Sequence, residues 1–116
     1  MTAAPRLKSE FWVHAFLRRC QVEGIYGAVL TRGAAEAGAV HVIINHLDGT
    51  QHFFGPPPGP AYDDQGERRF IEEIPFPAEQ GDIDRIIARR LKFDPDIWVV
   101  EVEDRKGTAG IKVAGE

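Results

Sequence analysis

Residues 94–104 read DPDIWVVEVED. Asp94-Pro95 closes whatever precedes it, because the residue before a proline is pushed out of the helical region. IWVV (97–100) then runs apolar without a break, and Glu101, Val102 and Glu103 alternate. A short apolar run rich in β-branched residues predicts a strand covered on both faces at its start, hence central in a sheet.

Upstream, GDIDRIIARRLKF (81–93) carries acidic residues in its first turn and basic ones later, the order that suits a helix dipole. Pro75 and Pro77 separate it from RRFIEEI (68–74), where Phe70, Ile71 and Ile74 fit a helical turn about as well as a strand; an edge strand is the favoured reading. AVHVIIN (39–45) is the clearest strand, and Asp48-Gly49 after it predicts a two-residue type I′ turn returning QHFF (51–54) antiparallel. IYGAVLTRG (25–33) reads as one more strand. GPPPGPAYDDQGE (55–67) is a long aperiodic loop, stiffened by proline.

LKSEFWVHAFLRRCQVEG (7–24) predicts the first helix, with Ser9 as its cap and Gly24 as its left-handed end. Trp12, Val13, Phe16, Leu17 and Cys20 form one apolar sector. Phe11, Ala15 and Val22 form a smaller one, so burial on more than one side is expected. The order α-β-β-β-(β)-α-β predicts an α+β two-layer sandwich with a mostly antiparallel sheet of four to five strands. One domain is expected over residues 1–116, with an ordered core of about 6–105 and a fraying tail at 106–116.

The net charge of −4 argues against a global attraction to nucleic acid or anionic lipid, leaving room for a local basic face. A single cysteine, Cys20, excludes an internal disulfide. The start of the chain has no apolar stretch of the signal-peptide kind, and no segment is long enough to span a bilayer, so the expectation is a cytoplasmic protein without membrane attachment.

Three stretches, RLKSEFWVHAFLRRC (6–20), AGAVHVIINHLDG (37–49) and FDPDIWVVEVEDR (93–105), resemble a family of short alphaproteobacterial proteins known only as a domain of unknown function. The resemblance runs from about Arg6 to Arg105. It implies a stand-alone domain of this size and supplies no activity, cofactor or site residue.

The residues themselves restrict the chemistry. A two-residue turn sends His46 and His52 to opposite faces of the sheet, with His41 far along the hairpin from His52. A three-residue bulged turn brings His46 and His52 onto one face, yet supplies only two ligands. Ser9 is the only serine, which excludes a G-x-S-x-G hydrolase. Cys20 lies on the apolar sector of the helix, away from His14, and reads as a buried structural thiol. Glu101, Glu103, Asp94, Asp96 and Asp104 lack the lysine and the spacing of a metal-dependent nuclease. The GxxxxGK[ST] and GxGxxG patterns are absent. Glu10, His14 and Arg18 form a helix-surface row.

What remains favours contacts with another molecule. Arg90 falls among Ile83, Ile86, Ile87 and Phe93 and calls for a partly buried carboxylate or an outer partner. Arg19 lies between the two apolar sectors of its helix. With Phe53, Phe54 and Tyr62 beside the proline loop, Arg19 and Arg90 are the candidates for partner or anion binding. No catalytic residue, metal ligand or cofactor is indicated. The leading expectation is a non-enzymatic protein-binding or accessory module, with an unknown protein partner or a homodimer joined through the sheet edge or helix one. The alternatives are a nucleic-acid-associated protein using Arg18, Arg19, Arg68, Arg69, Arg85, Arg89 and Arg90, and a metal-assisted hydrolase.

Overall fold

The computed structural model describes residues 8–114. Helix α1 spans Ser9–Val22, followed by strands β1 (Tyr26–Thr31), β2 (Val40–Asn45), β3 (Gln51–Gly55) and β4 (Ile71–Glu72). Helix α2 spans Gln80–Phe93 and strand β5 Trp98–Glu103. The five strands form one sheet in the order β1-β5-β2-β3-β4. β5 enters between β1 and β2, antiparallel to the first and parallel to the second. The remaining pairs are antiparallel, and β4 is the short edge strand expected within 68–74.

The α+β class and the element order follow the sequence reading; the layering differs from a two-layer sandwich. The helices cover opposite faces. Val13, Phe16 and Cys20 of α1 pack on Val40, Val42, Ile44, Val100 and Val102. Ile83 of α2, with Ile86, Ile87 and Leu91, packs on Ile43, Phe53 and Val99. The cause is visible in the central strands: Val40 through Ile44 are all buried, so alternating side chains demand cover above and below.

Helix α1 is buried on one side only, with Phe11 67% and Val22 83% exposed. Its second apolar sector faces outward. Ser9 does not cap it. The first amides are taken by loop carbonyls instead, Ser9 N–H donating to Glu36 O and Glu10 N–H to Ala35 O. This frees the Ser9 hydroxyl, which is fully buried and donates to Gly38 O at 2.6 Å. Gly24 ends the helix at φ 78°, as expected.

The β2–β3 turn is longer than the sequence suggested. Asn45 pairs with Gln51, and His46 N–H donates to Thr50 O, so the loop is Leu47-Asp48-Gly49. Leu47 takes a positive φ of 63°, and its amide is held by Asn45 Oδ1 at 2.8 Å. Asp48 Oδ1 accepts from the Thr50 amide and hydroxyl. These side-chain bonds explain why the two-residue alternative loses.

The segment after β5 packs rather than frays, as far as residue 114. Ala109 and Ile111 belong to the α1-side core, and Ala114 N–H donates to Phe70 O. Asp104 organises this return, accepting from the amides of Lys106, Gly107 and Ala109 at 3.2, 3.1 and 2.9 Å. Burial alone would raise its pKa, but the Ala109, Lys106 and Gly107 amides outweigh it and hold the carboxyl below its ordinary value. A depressed carboxyl stabilises the fold above its unfolded pKa and loses that contribution as pH falls through the folded one. The urea midpoint of the wild type should therefore fall more steeply than that of Asp104→Asn between about pH 5 and about pH 3. Parallel curves would show that Asp104 is not part of the acid response.

Candidate functional site

The expected candidates separate in space. Phe53 and Phe54 alternate onto the α2-side and α1-side cores, with 0% and 1% exposure. Neither is at the surface, because strand alternation assigns one aromatic to each core. Arg90 is engaged internally: Nη1 and Nη2 donate to Glu73 Oε1 and Oε2 at 2.8 and 3.0 Å. The partly buried carboxylate that its position called for is therefore Glu73, whose side chain is only 10% exposed. Gly55 makes room for it, since a Cβ there would fall on the Glu73 carboxylate.

Arg90 also reaches His41 Nε2 at 2.8 Å. Burial, then the Arg90 charge, pushes the His41 pKa down, so the ring is neutral at pH 7. With Nε2 accepting from a permanent cation, the proton resides on Nδ1. His41, Arg90 and Glu73 form a cluster beneath α2, on the face opposite α1, with His41 buried and Arg90 partly open to solvent.

His46 and His52 meet on one face after all, with ring centroids 5.1 Å apart, because the longer turn shifts the register. Phe76 stacks on His52 at 4.1 Å. His52 Nδ1 lies 2.8 Å from Glu72, and His46 Nδ1 is 2.6 Å from Asp104 O. Among the described residues, no three His, Cys, Asp or Glu side chains are grouped to hold a metal ion. Cys20 is buried, and burial pushes its thiol pKa up. Glu10 pairs with Arg32 at 2.6 Å rather than with His14.

Arg19 and Arg68 line one groove beside α1, and Tyr62 is joined to it through Arg68. The Tyr62↔Arg68 bridge folds residues 62–68 back over the start of α1. Arg68 is 8% exposed; Nη2 donates to Tyr62 Oη at 2.9 Å and to Ser9 Oγ at 3.2 Å. Its guanidinium sits 4.8 Å from the Tyr62 ring centroid and 5.6 Å from that of Trp12. Such placement fixes a planar cation without neutralising it. Arg19 donates to Ala109 O at 2.6 Å and to Glu23 at 3.1 Å, crossing from α1 to the return segment. Gly110, at φ 75°, allows this crossing, because a Cβ would stand 2.9–3.3 Å from the Arg19 guanidinium.

Between these groups lies a groove formed by α1, residues 67–70 and residues 110–114. One part, of about 240 Å³, has Trp12, Phe16, Phe70 and Ile111 in its walls, with Arg19, Arg68, Lys112 and Glu67 as its charged groups. An adjoining part, of about 430 Å³, shares Arg68, Ile111 and Lys112 and adds Arg69 and Asp63. Four cationic side chains face two acidic ones here, in a chain whose net charge is −4. The groove was hidden in the sequence, because the 106–116 tail was expected to fray and Arg68 to sit on an exposed strand. Its one legible signal was an isolated arginine pair, Arg68-Arg69, closing a long loop.

The arginines proposed for a nucleic-acid face are divided between the two sides of the sheet. Arg18 and Arg19 lie on α1, whereas Arg85, Arg89 and Arg90 lie on α2. Arg85 is paired with Asp82 and Arg90 with Glu73.

The molecule is thus a small α+β domain with a mixed five-stranded sheet, one helix on each face and an amphipathic groove at the α1 side. It belongs to the family described as protein of unknown function DUF1491, which it matches over residues 7–112. It is similar to a protein from A. tumefaciens solved in solution, with 34% identity, coverage of 97% of this chain and 98% of the other, and a TM-score of 0.81. A crystal structure of a DUF1491 family protein from Caulobacter crescentus CB15 is 34% identical, covering 92% of this chain and 98% of that one, at a TM-score of 0.74. An NMR structure of a DUF1491 family protein from the same organism is 32% identical, with 97% and 100% covered and a TM-score of 0.75. No curated protein matches. Among the described residues, no helix is long and apolar enough to cross a membrane.

Proposed function

We propose that this domain is a non-enzymatic binding module that takes a polypeptide segment of a partner protein into the groove beside α1. The observation that carries the reading is the composition of that groove: apolar side chains of Trp12, Phe16, Phe70 and Ile111 in its walls, with cations around them. A concave apolar floor, in which Trp12 is half-buried and Phe16, Phe70 and Ile111 show only their edges, framed by fixed charges, favours a partner that brings both side chains and backbone. Trp and Arg are the residue types that most often anchor such contacts.

A photoreactive residue placed at Ala15, which lines the groove, tests this in the host cell. Irradiation should give an adduct of one defined mass, whereas the same residue at Arg89 on α2 should give none. Equal labelling at both positions, or none at Ala15, would count against the groove as the binding surface.

A further inference from the structure

We infer that the groove recognises an acidic peptide, in which a Glu or Asp side chain meets the Arg68 guanidinium while neighbouring apolar residues rest on Trp12, Phe16 and Ile111. This rests on the groove being a protein-binding surface, as proposed above. The most deeply placed arginine of the fold lacks a carboxylate. Arg90 has Glu73, Arg19 has Glu23, Arg32 has Glu10 and Arg85 has Asp82. Arg68 is 8% exposed and makes no ion pair among the described residues; its polar partners are the hydroxyls of Ser9 and Tyr62, both on Nη2. Nε is buried without a hydrogen bond, and Nη1 makes none among the described residues.

A guanidinium withdrawn from water is costly unless an anion and further hydrogen bonds compensate it. Here the rings of Trp12 and Tyr62 hold the plane in place, and donors remain unused. Nη2 is taken by two hydroxyls and Nε is enclosed, so Nη1 is the donor open to an incoming group, and a charged carboxylate accepts from it more strongly than a neutral amide does.

The surroundings select the carrier of that anion. Lys112 lines both parts of the groove and has no carboxylate partner among the described residues. Arg69 donates to Pro60 O at 3.1 Å, and Arg19 is already bonded to Glu23 and Ala109 O. The Asp63 carboxylate is occupied by the amides of Gln65 and Glu67. Glu67 stands exposed at the rim. Two carboxylates at the edge oppose a densely charged polymer such as nucleic acid, but not a peptide with spaced acidic residues. The apolar walls ask for hydrophobic side chains between those residues.

The test uses the ¹⁵N-labelled chain and follows the Arg68 Nε–H and Trp12 indole N–H signals. The probes are acetyl-Leu-Glu-Leu-Glu-Leu-amide, its Gln counterpart and inorganic phosphate. The acidic peptide should shift both signals saturably, with the Gln peptide weaker by about tenfold or more, as loss of a charge-assisted bond implies. Arg69→Gln with Lys112→Gln should weaken the acidic peptide severalfold while leaving the remaining spectrum in place, so that folding and binding are read separately. Equal response to both peptides, response to phosphate alone, or no saturable shift would overturn the inference. A single adduct at Ala15 together with equal peptide affinities would remove the carboxylate preference and leave the groove as a binding surface. A selective peptide response without any adduct would do the reverse.

Discussion

Replacing Trp98 by alanine is expected to cost about 3–5 kcal/mol of unfolding free energy, the usual range for emptying a large aromatic site in a core. Trp98 is fully buried at the start of the interior strand β5, in the α1-side core. Its indole N–H donates to Ala34 O at 2.8 Å, and its ring carries the Arg32 guanidinium at 5.4 Å. The substitution removes the ring from a packed layer and leaves the Ala34 carbonyl with only the longer bond from the Gly38 amide, at 3.4 Å. Domains of this size hold only about 5–15 kcal/mol in total, so the variant should sit near the edge of folding at 37 °C. Urea denaturation reads the effect as a lower midpoint at unchanged slope. A loss below about 1 kcal/mol would mean that the β5 core collapses around the space far more readily than close packing allows.

The second large effect is expected at Glu73→Ala, by about 2–3 kcal/mol. Breaking a buried pair by deleting one partner costs about 3–5 kcal/mol, and the 40% exposure of the Arg90 side chain brings the figure down. The substitution leaves a guanidinium facing His41, itself buried and neutral. Double replacement of Glu73 and Arg90 by apolar residues should restore part of the loss, because the cost lies in the orphaned cation rather than in the absence of the pair. Chemical denaturation of the two variants against the wild type decides it. If the double variant is no better than Glu73→Ala, the pair itself carries the stability.

Gly55 leads to the same cluster by a different route. A methyl group there must push Glu73 aside, so Gly55→Ala is a milder form of the Glu73 deletion.

How much of this was legible follows from the reach of each interaction. FDPDIWVVEVEDR, AGAVHVIINHLDG and the amphipathic 81–93 segment declare themselves locally, through periodicity, β-branching and proline. Arg90 was legible too: a cation on an apolar helix face requires an acid, although nothing local says that the acid is Glu73. The placement of the helices on opposite faces was missed by the two-layer expectation; it follows from β2, which sends Val40, Val42 and Ile44 into one core and Ile43 into the other. A strand buried on both faces needs two covers.

The hairpin register was not legible, because Asp48-Gly49 supplies a preferred turn while Asn45, Asp48 and Thr50 stabilise a longer one by side-chain bonds. Nor was the groove. Arg68 reaches Ser9 and Trp12 through the fold-back of residues 62–68, and Ile111 joins them through the return of residues 106–114. That return depends on one carboxylate, Asp104, gathering three amides. Phe53 and Phe54 looked like surface aromatics beside a loop and proved to be one residue for each core.

The placement of β5 has a consequence for biosynthesis. The strand that fills the gap between β1 and β2 is the last to be made, and its parallel pairing joins Val40 to Trp98 and Asn45 to Glu103. While the ribosome is still adding residues 46 to 97, β1 and β2 have no shared neighbour, and Val40, Val42 and Ile44 lack their partners across the ladder. The chain must therefore grow by nearly half of its length with an open, apolar strand edge before one late insertion closes it. This is the arrangement in which folding is slow and nascent chains are prone to self-association.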